Sequence, residues 1–174
     1  MVVGGISGSG KSTLARELAR RTGAAYVELD ALFHKPGWEP STDEEFAAKI
    51  TAALDAAGER WVVDGNYTRM RDLVWSRATT FVWLDYPFGV ATWRAVKRTA
   101  RRLATREALW HGNRERFSNL FDKGHPIWWS MSQYRGSRAR YEQAVRDPRW
   151  AHLGVVRIRD GAGLRELLRY AARP

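Results

Sequence analysis

The sequence contains no cysteine, which excludes several kinds of chemistry at once. Without thiols there is no disulfide framework, no thiolate metal site and no cysteine nucleophile. No apolar run approaches the roughly 20 residues that a membrane-spanning helix needs. The first residues have a strand pattern, so we expect no signal peptide. From these absences we expect a cytoplasmic protein with no membrane contact.

The sequence also lacks low-complexity linkers and internal repeats. Its 174 residues are the length of one domain, so we predict a single domain over residues 1–174. The four histidines show no spacing typical of metal ligands, which argues against a zinc site.

Acidic residues are scarce relative to basic ones. There are 19 Asp and Glu against 29 Lys and Arg, giving a net charge of +10 and a pI near 10.5. A basic surface implies an anionic partner, either a nucleotide or a nucleic acid. The same composition also arises from arginines solvated on helix faces, and charge alone does not decide between these interpretations.

The glycine-rich stretch "GGISGSGKST" at residues 4–13 matches the pattern G-x-x-x-x-G-K-[ST]. Such a loop cradles phosphate oxygens with successive backbone N–H groups, and glycines permit the required backbone angles. Lys11 would reach the β- and γ-phosphates, and the Ser12 hydroxyl would sit on Mg²⁺.

The flanking residues agree with this interpretation. A short apolar, β-branched run precedes the loop, and a helix pattern follows from Lys11 until Gly23. We therefore predict that the loop binds ATP. The predicted nucleotide-binding residues are Gly5, Ser7, Gly8, Ser9, Gly10, Lys11, Ser12 and Thr13.

Further along the chain, strand-like and helix-like segments alternate. The predicted strands are residues 25–30, 60–66, 79–87 and 152–160, in addition to the first. Ser41 or Thr42 caps a helix whose apolar face is Phe46, Ile50 and Leu54. This alternation predicts an α/β fold with a parallel sheet covered by helices. In such sheets ligands bind beyond the carboxyl ends of the strands.

Three aspartates, Asp30, Asp64 and Asp85, lie at the ends of predicted strands. Asp64 is the candidate for holding Mg²⁺ or its waters opposite Ser12, and Asp30 for orienting, or deprotonating, an acceptor hydroxyl. Turn residues and helix caps are also commonly aspartate, so a structural role for both remains open. Asp85 precedes Tyr86-Pro87 and is interpreted as a helix cap.

The helix pattern "WRAVKRTARRLA" at residues 93–104 carries four arginines on one side. Arg94, Arg98, Arg101 and Arg102 share this side, and Trp93, Val96, Ala100 and Leu103 form an apolar side that we assign to the core. An arginine over the γ-phosphate stabilises charge in a phosphoryl-transfer transition state. Arg98, Arg101 and Arg102 are the catalytic candidates, with a solvated cationic face as the alternative.

Aromatic residues are abundant, with nine tryptophans. Trp61, Trp83 and Trp93 are interpreted as core residues. Trp38 lies in a Pro-Gly turn after Asp30, where it would either stack on an acceptor or fix the loop. His34 is close in sequence to this predicted acceptor site and joins it as a candidate.

Taken together, these motifs resemble those of small P-loop kinases of the adenylate-kinase-like group, and particularly the DNA topology modulation protein-like subgroup. The resemblance rests on "GGISGSGKSTLARELA", "ELDALFHKPGWEP", "RWVVDGNY", "FVWLDYP" and "GNRERF". It implies a three-layer fold with a five-stranded parallel sheet, ATP and Mg²⁺ as cofactors, an arginine-bearing lid at about 94–125 and an acceptor-side insert at about 31–58. It also places the base near residues 159–162.

One segment departs from the family pattern. After Asp64-Gly65, nucleoside monophosphate kinases of this group carry an aromatic residue, a proline and an arginine that helps to hold the acceptor nucleotide. Here Asn66-Tyr67-Thr68-Arg69 stands instead. We keep Asn66 and Arg69 as predicted substrate-binding residues, although the missing proline weakens the case for a nucleotide acceptor.

The sequence thus predicts an ATP- and Mg²⁺-dependent phosphotransferase acting on a small-molecule or nucleotide acceptor. The alternative is a nucleic-acid-directed protein, either a 5′-hydroxyl polynucleotide kinase or an ATP-dependent DNA or RNA binder. No N-K-x-D motif is present to read guanine, which argues against a switch GTPase.

Overall fold

The computed structural model describes residues 1–65, 67–105, 107–113 and 126–171. Two sequence predictions therefore fall outside the described residues, namely Asn66 and the lid from residue 114 to residue 125. The strands are β1 (Val2–Gly5), β2 (Ala25–Glu28), β3 (Trp61–Asp64), β4 (Thr80–Leu84) and β5 (Gly154–Ile158). The helices are α1 (Lys11–Thr22), α2 (Leu29–Phe33), α3 (Asp43–Ala57), α4 (Arg71–Trp75), α5 (Phe88–Thr105), α6 (Pro126–Ala144) and α7 (Gly161–Tyr170).

The five strands form one parallel sheet in the order β2-β3-β1-β4-β5. The predicted three-layer α/β fold is confirmed. Val3 of β1 pairs with Asp64 of β3, and Glu28 of β2 pairs with the same residue from the other side. The carboxyl ends of these strands therefore meet at one edge, where the loops that follow them converge.

Alternate side chains of the strands enter two separate cores. Trp61 and Val63 pack with α3, α4 and α6, whereas Val62 packs with α1 and α7 on the opposite face. By the same alternation, the Asp64 side chain points to the α1 face. None of the helices in the described ranges is long and apolar enough to cross a membrane.

Helix α3 begins as its sequence predicts. Thr42 accepts a hydrogen bond from the Glu45 backbone N–H, and the Glu45 side chain accepts one from the Thr42 N–H. Phe46, Ile50 and Leu54 are fully buried against the sheet. The cap and the apolar periodicity together explain why this helix was predictable.

The predicted end of the second strand was wrong. The strand ends at Glu28, and Asp30 lies in the first turn of the short helix α2. Leu29 is buried and Phe33, one turn later, packs against the same core, so the apolar contacts favour a helix at this point.

The predicted core face of α5 was also wrong. Trp93 is 68% exposed and Val96 is 39% exposed, whereas Ala91, Ala95 and Thr99 are buried. Trp61 and Trp83, in contrast, are buried as predicted. The reason is that α5 packs on the phosphate loop, where only small side chains fit.

Candidate active site

The phosphate loop connects β1 to α1 and carries two glycines with positive φ. Gly10 has φ of 94° at the N-terminus of α1, where no atom crowds it, so backbone conformation alone favours glycine there. Gly8 has φ of 78°, and a Cβ on it would overlap the Ala91 carbonyl oxygen and lie 2.9 Å from the Ala95 Cβ. This close approach explains why α5 turns its small residues, rather than Trp93, inward.

Tyr141 of α6 accepts a hydrogen bond from the start of the phosphate loop. The Gly5 backbone N–H donates to the Tyr141 hydroxyl at 3.0 Å, and Tyr141 is buried. Burial raises the pKa of this tyrosine, so it remains protonated. Lys11 Nζ lies 3.5 Å from the Ile6 carbonyl oxygen, folded over the loop that it would use to bind phosphate.

Asp64 is 3% exposed and accepts a hydrogen bond at Oδ2 from the Tyr26 hydroxyl at 3.0 Å. Its Oδ1 is buried and has no hydrogen-bond partner among the described residues. A buried carboxylate oxygen without a partner is the kind of ligand that Mg²⁺ or its waters take. Asp64 and Ser12 of α1 both belong to the α1 side of the sheet, so the donor set fits the predicted metal site.

Asp30 is held by a second tyrosine. The Tyr67 hydroxyl, in the segment after β3, donates to Asp30 Oδ1 at 2.7 Å. Burial and the negative charge of Asp30 raise the pKa of Tyr67, which keeps it a donor. Tyr67 itself packs against Phe33 and Phe46, with ring centroids 5.0 and 4.8 Å away. The carboxylate is thus fixed at the edge of the sheet where ligands are expected.

The three arginines predicted as catalytic candidates have different surroundings. Arg98 of α5 is half-buried and donates to Ser7 Oγ of the phosphate loop at 2.9 Å. Arg101 is exposed and pairs with Glu107 at 3.0 Å, and Arg102 lies 4.0 Å from the same carboxylate. The structure therefore brings Arg98 to the phosphate loop.

The predicted acceptor-side residues His34 and Trp38 belong to an aromatic cluster. His34 lies parallel to Trp110 at 5.8 Å and edge-on to Trp38 at 5.3 Å. Burial lowers the pKa of His34, against an opposing effect of Asp30.

Asn113, which is buried, connects the loop that carries these rings to the segment after α5. Its Oδ1 accepts from the Gly37 and Trp38 backbone N–H groups at 2.8 and 3.2 Å, and its Nδ2 donates to the Lys35 carbonyl at 2.9 Å. The loop that carries His34 and Trp38 is therefore packed against Asn113, which follows α5 in the chain.

Arg69, predicted to bind substrate, is engaged elsewhere. It pairs with Asp43 of α3 at 2.7 Å and lies over the Phe33 ring at 4.9 Å. These contacts tie the segment after β3 to α3.

The interpretation of Asp85 as a helix cap was wrong. Helix α5 begins three residues later, and the buried Asp85 carboxylate pairs with Arg157 at 2.6 Å, Arg138 at 3.3 Å and Arg159 at 3.6 Å. The segment 159–162, where the base is expected, begins within this ionic cluster. Asp160 in it caps α7 by accepting from the Ala162 and Gly163 N–H groups.

Sequence reasoning missed the residues that hold the site together. These residues are Tyr26, Tyr67, Tyr141 and Asn113, and they contact residues between 37 and 136 positions away in the chain. No local pattern indicates the roles of Tyr26, Tyr141 and Asn113. Tyr67 alone had a signal, because it directly follows the unusual Asp64-Gly65-Asn66 segment.

The phosphate loop between β1 and α1 and the parallel sheet define an α/β protein with a P-loop kinase-like fold. The family model AAA_18, described as an AAA domain, matches residues 1–116. The chain therefore belongs to this family. No curated protein matches the chain.

Two solved structures illustrate the likeness. A sugar kinase from Janibacter sp. HTCC2649 is 23% identical with a TM-score of 0.50, covering 98% of this chain and 88% of that one. Shikimate kinase from Acinetobacter baumannii, in complex with shikimate, is 18% identical with a TM-score of 0.54, covering 97% and 88%. At these identities the similarity concerns the fold.

Proposed function

We propose that this protein is an ATP- and Mg²⁺-dependent kinase that transfers the γ-phosphate to a small-molecule acceptor. The observation that carries the proposal is the contact between Arg98 and Ser7. It places a guanidinium on a loop whose glycines have the backbone angles of a phosphate cradle. Phosphoryl transfer needs positioned positive charge more than covalent help, and this arrangement supplies it.

The nucleotide-side roles follow from the positions of the residues. Lys11 and the loop N–H groups would bind the phosphates, with Ser7, Ser9 and Thr13 completing the cradle. Ser12 and the free Oδ1 of Asp64 would hold Mg²⁺. When bound, the metal supplies charge neutralisation to the phosphate oxygens. Arg98 would compensate the charge that develops on the transferred group, with Arg101 and Arg102 as further lid candidates.

Asp30 is the proposed acceptor-side carboxylate. Tyr67 occupies its Oδ1, which fixes the carboxylate and leaves Oδ2 for the acceptor. In that position Asp30 would orient the attacking hydroxyl and take its proton as the bond to phosphorus forms. His34, Trp38, Asn66 and Arg69 stay proposed acceptor-side residues. His34 and Trp38 lie in the loop packed beside α2.

The distribution of charge favours a small acceptor over a nucleic acid. A nucleic-acid interface needs arginines that are available to phosphates. Many arginines of the described residues are instead paired with carboxylates of the same chain. These are Arg16, Arg20, Arg21, Arg69, Arg77, Arg101, Arg138, Arg149, Arg157 and Arg159.

We propose one kinase domain over residues 1–174, with an acceptor-side insert at about 31–58 and a lid at about 94–125. Within the kinases, the adenylate-kinase-like group and its DNA topology modulation protein-like subgroup are the proposed relatives, on the motifs quoted above.

The test is ADP release from MgATP with a panel of acceptors. The panel contains sugars and sugar acids, nucleosides, nucleoside monophosphates and 5′-hydroxyl oligonucleotides. We expect ADP release that depends on one small-molecule class and is lost in Lys11→Ala. Thr51→Ala, a change at a half-buried residue of α3, which carries none of the proposed site residues, serves as the control. Stimulation by oligonucleotides alone, with steep salt dependence, would support the nucleic-acid alternative instead.

A further inference from the structure

The loop that carries His34 and Trp38 contains two consecutive residues with a left-handed backbone. Gly37 has φ of 73° and Trp38 has φ of 65°. Glycine adopts this conformation readily, but tryptophan does not, because its Cβ comes too close to the neighbouring carbonyl oxygen. A residue held in such a conformation depends on surrounding contacts that fix it. The contacts that hold Trp38 in place therefore bear on what the loop does.

The side chain of Asn113 supplies these contacts. Its Oδ1 accepts from the N–H groups of both left-handed residues, and its Nδ2 donates to the Lys35 carbonyl oxygen. An aspartate would lack the donor and a leucine would lack both groups, so the amide matches this part of the loop in full. Asn113 is 6% exposed, which limits competition from water for the three hydrogen bonds.

The turn at residues 109–113 contacts the same loop through two further side chains. The Trp110 ring lies parallel to the His34 ring at 5.8 Å and meets the Trp38 ring edge-on at 6.2 Å. His111 Nε2 lies 3.1 Å from a carbonyl oxygen of α2. His111 itself has φ of 57°, so a strained residue stands on each side of the contact. Strain of this kind is typical of segments whose geometry is fixed for function.

The loop begins next to the proposed base. The His34 backbone N–H donates to the Asp30 carbonyl oxygen at 3.1 Å, where α2 ends. The negative charge of Asp30 also acts on the His34 imidazole, since it raises the pKa of that ring against the effect of burial. A shift of the loop would therefore move the His34 and Trp38 rings relative to Asp30.

We propose that Asn113 is a positioning residue for the phosphoryl acceptor. This inference rests on the proposed kinase function, in which Asp30 takes the proton of the acceptor hydroxyl. Asn113 holds Gly37 and Trp38 in the left-handed conformation, and this conformation sets where the rings of the loop stand. The acceptor binds against the His34 and Trp38 rings. Asn113 thus acts through the loop and does not touch the acceptor.

Amide hydrogen exchange tests the hold on the loop independently of catalysis. In Asn113→Leu the Gly37 and Trp38 amides should exchange about tenfold faster or more, because both lose their acceptor. Asn113→Asp keeps an oxygen for these amides and should be intermediate. Asp147→Leu is the matched control, since Asp147 also accepts from a backbone N–H, that of Arg149, in the loop after α6. It should leave both exchange rates unchanged.

Steady-state kinetics test the role in acceptor binding. The acceptors are glucose, gluconate, adenosine and AMP, which represent the small-molecule classes of the panel. For each one that stimulates ADP release, Asn113→Leu should raise the KM about tenfold or more and lower kcat, with Asn113→Asp intermediate. The KM for ATP should stay unchanged, because the phosphate loop is untouched while the acceptor is misplaced. Asp147→Leu should leave all these constants unchanged.

Three results would overturn the proposal. The first is unchanged exchange of the Gly37 and Trp38 amides in Asn113→Leu. The second is faster exchange with a normal KM and kcat for the acceptor, which would make the role of Asn113 structural only. The third is an equal rise in the KM for ATP and for the acceptor, because the defect would then extend beyond the acceptor side.

A binding measurement separates this inference from the proposed function. If none of the four acceptors stimulates ADP release, the kinase function fails, and the thermal shift that each compound gives then tests Asn113. Stabilisation that is lost in Asn113→Leu and kept in Asp147→Leu supports the positioning role, and the absence of any shift in the unmodified protein overturns it. Circular dichroism and the ATP-induced thermal shift establish that each variant is folded.

Discussion

Tyr26→Phe is the change whose effect can be estimated most directly from the geometry. It removes the hydroxyl that donates to Asp64 Oδ2 at 3.0 Å and keeps the ring, over which Arg16 lies at 5.2 Å. Because Oδ1 has no partner among the described residues, the buried carboxylate then loses its one identified hydrogen bond. Hydrogen bonds to charged groups contribute about 1.5–3 kcal/mol, so the free energy of unfolding should fall by about that amount.

The expected fall in Tm is about 3–12 °C, using about 2–4 °C per kcal/mol for a chain of this length. Thermal unfolding followed by circular dichroism measures the change in Tm, and denaturant unfolding measures the change in the free energy of unfolding. Tyr170→Phe is the matched control, since Tyr170 is exposed, and it should change stability little. A double-mutant cycle with Asp64→Asn isolates the pair, because Tyr26→Phe should cost less in that background.

The same variant tests the proposed metal role. If Tyr26 orients Asp64 toward Mg²⁺, Tyr26→Phe should raise the Mg²⁺ concentration needed for half-maximal ADP release. Equal stability of Tyr26→Phe and Tyr170→Phe, or an undiminished effect of Tyr26→Phe in the Asp64→Asn background, would refute the reasoning.

Three further predictions concern the phosphate loop and its surroundings. Arg98→Met should lower kcat by about 10²- to 10³-fold, with a smaller effect on the KM for ATP. Arg101→Met should lower kcat less. Steady-state kinetics measure both variants, and equal kinetic constants for the two would contradict the prediction. Gly8→Ala should lower the free energy of unfolding by about 2–5 kcal/mol, because it adds a Cβ against the Ala91 carbonyl at a positive φ. Denaturant unfolding curves identical to those of the unmodified protein would argue against this contact. Since burial lowers the pKa of His34, the folded protein binds fewer protons than the unfolded chain just below pH 6.5, and the free energy of unfolding should fall as pH falls through that window. His34→Phe should reduce this slope, and an imidazole that titrates by NMR at or above pH 6.5 would contradict it.

Local signals were enough to predict the framework of the fold. The phosphate loop, the apolar strands and the Thr42–Glu45 capping box each depend on residues within a few positions of one another. Hydrophobic periodicity and cap chemistry act over the same short range. The order of elements and the location of the nucleotide loop could therefore be predicted from the chain alone.

The orientation of α5 shows where such signals fail. Its most hydrophobic face contains Trp93 and Val96, but the side that packs inward must fit against Gly8 of the phosphate loop. Close approach of two backbones selects alanine and threonine over larger side chains. The hydrophobic periodicity of α5 shows which side chains are apolar, but it does not show how little space the phosphate loop leaves for them. The sequence pattern therefore assigned the wrong face of α5 to the core.

The interpretation of Asp85 as a helix cap was wrong for a related reason. Its position before Tyr86-Pro87 suggested a cap, but its carboxylate pairs with Arg157, which is 72 residues later on the neighbouring strand. The pairing exists because β4 and β5 are adjacent in the sheet, and that adjacency is a property of the topology. Ion pairs of this kind become visible only after the strand order is known.

The candidate site is supported by three tyrosines that share one physical property. Tyr26 holds Asp64, Tyr67 holds Asp30 and Tyr141 holds the Gly5 N–H. Burial raises the pKa of all three, so each hydroxyl stays protonated at neutral pH. Ionisation of the tyrosines therefore does not break these hydrogen bonds near neutral pH, and the three hydroxyls hold the carboxylates and the loop in one arrangement. A pH dependence of ADP release near neutrality must then come from other groups, of which His34 beside Asp30 is the nearest candidate by position.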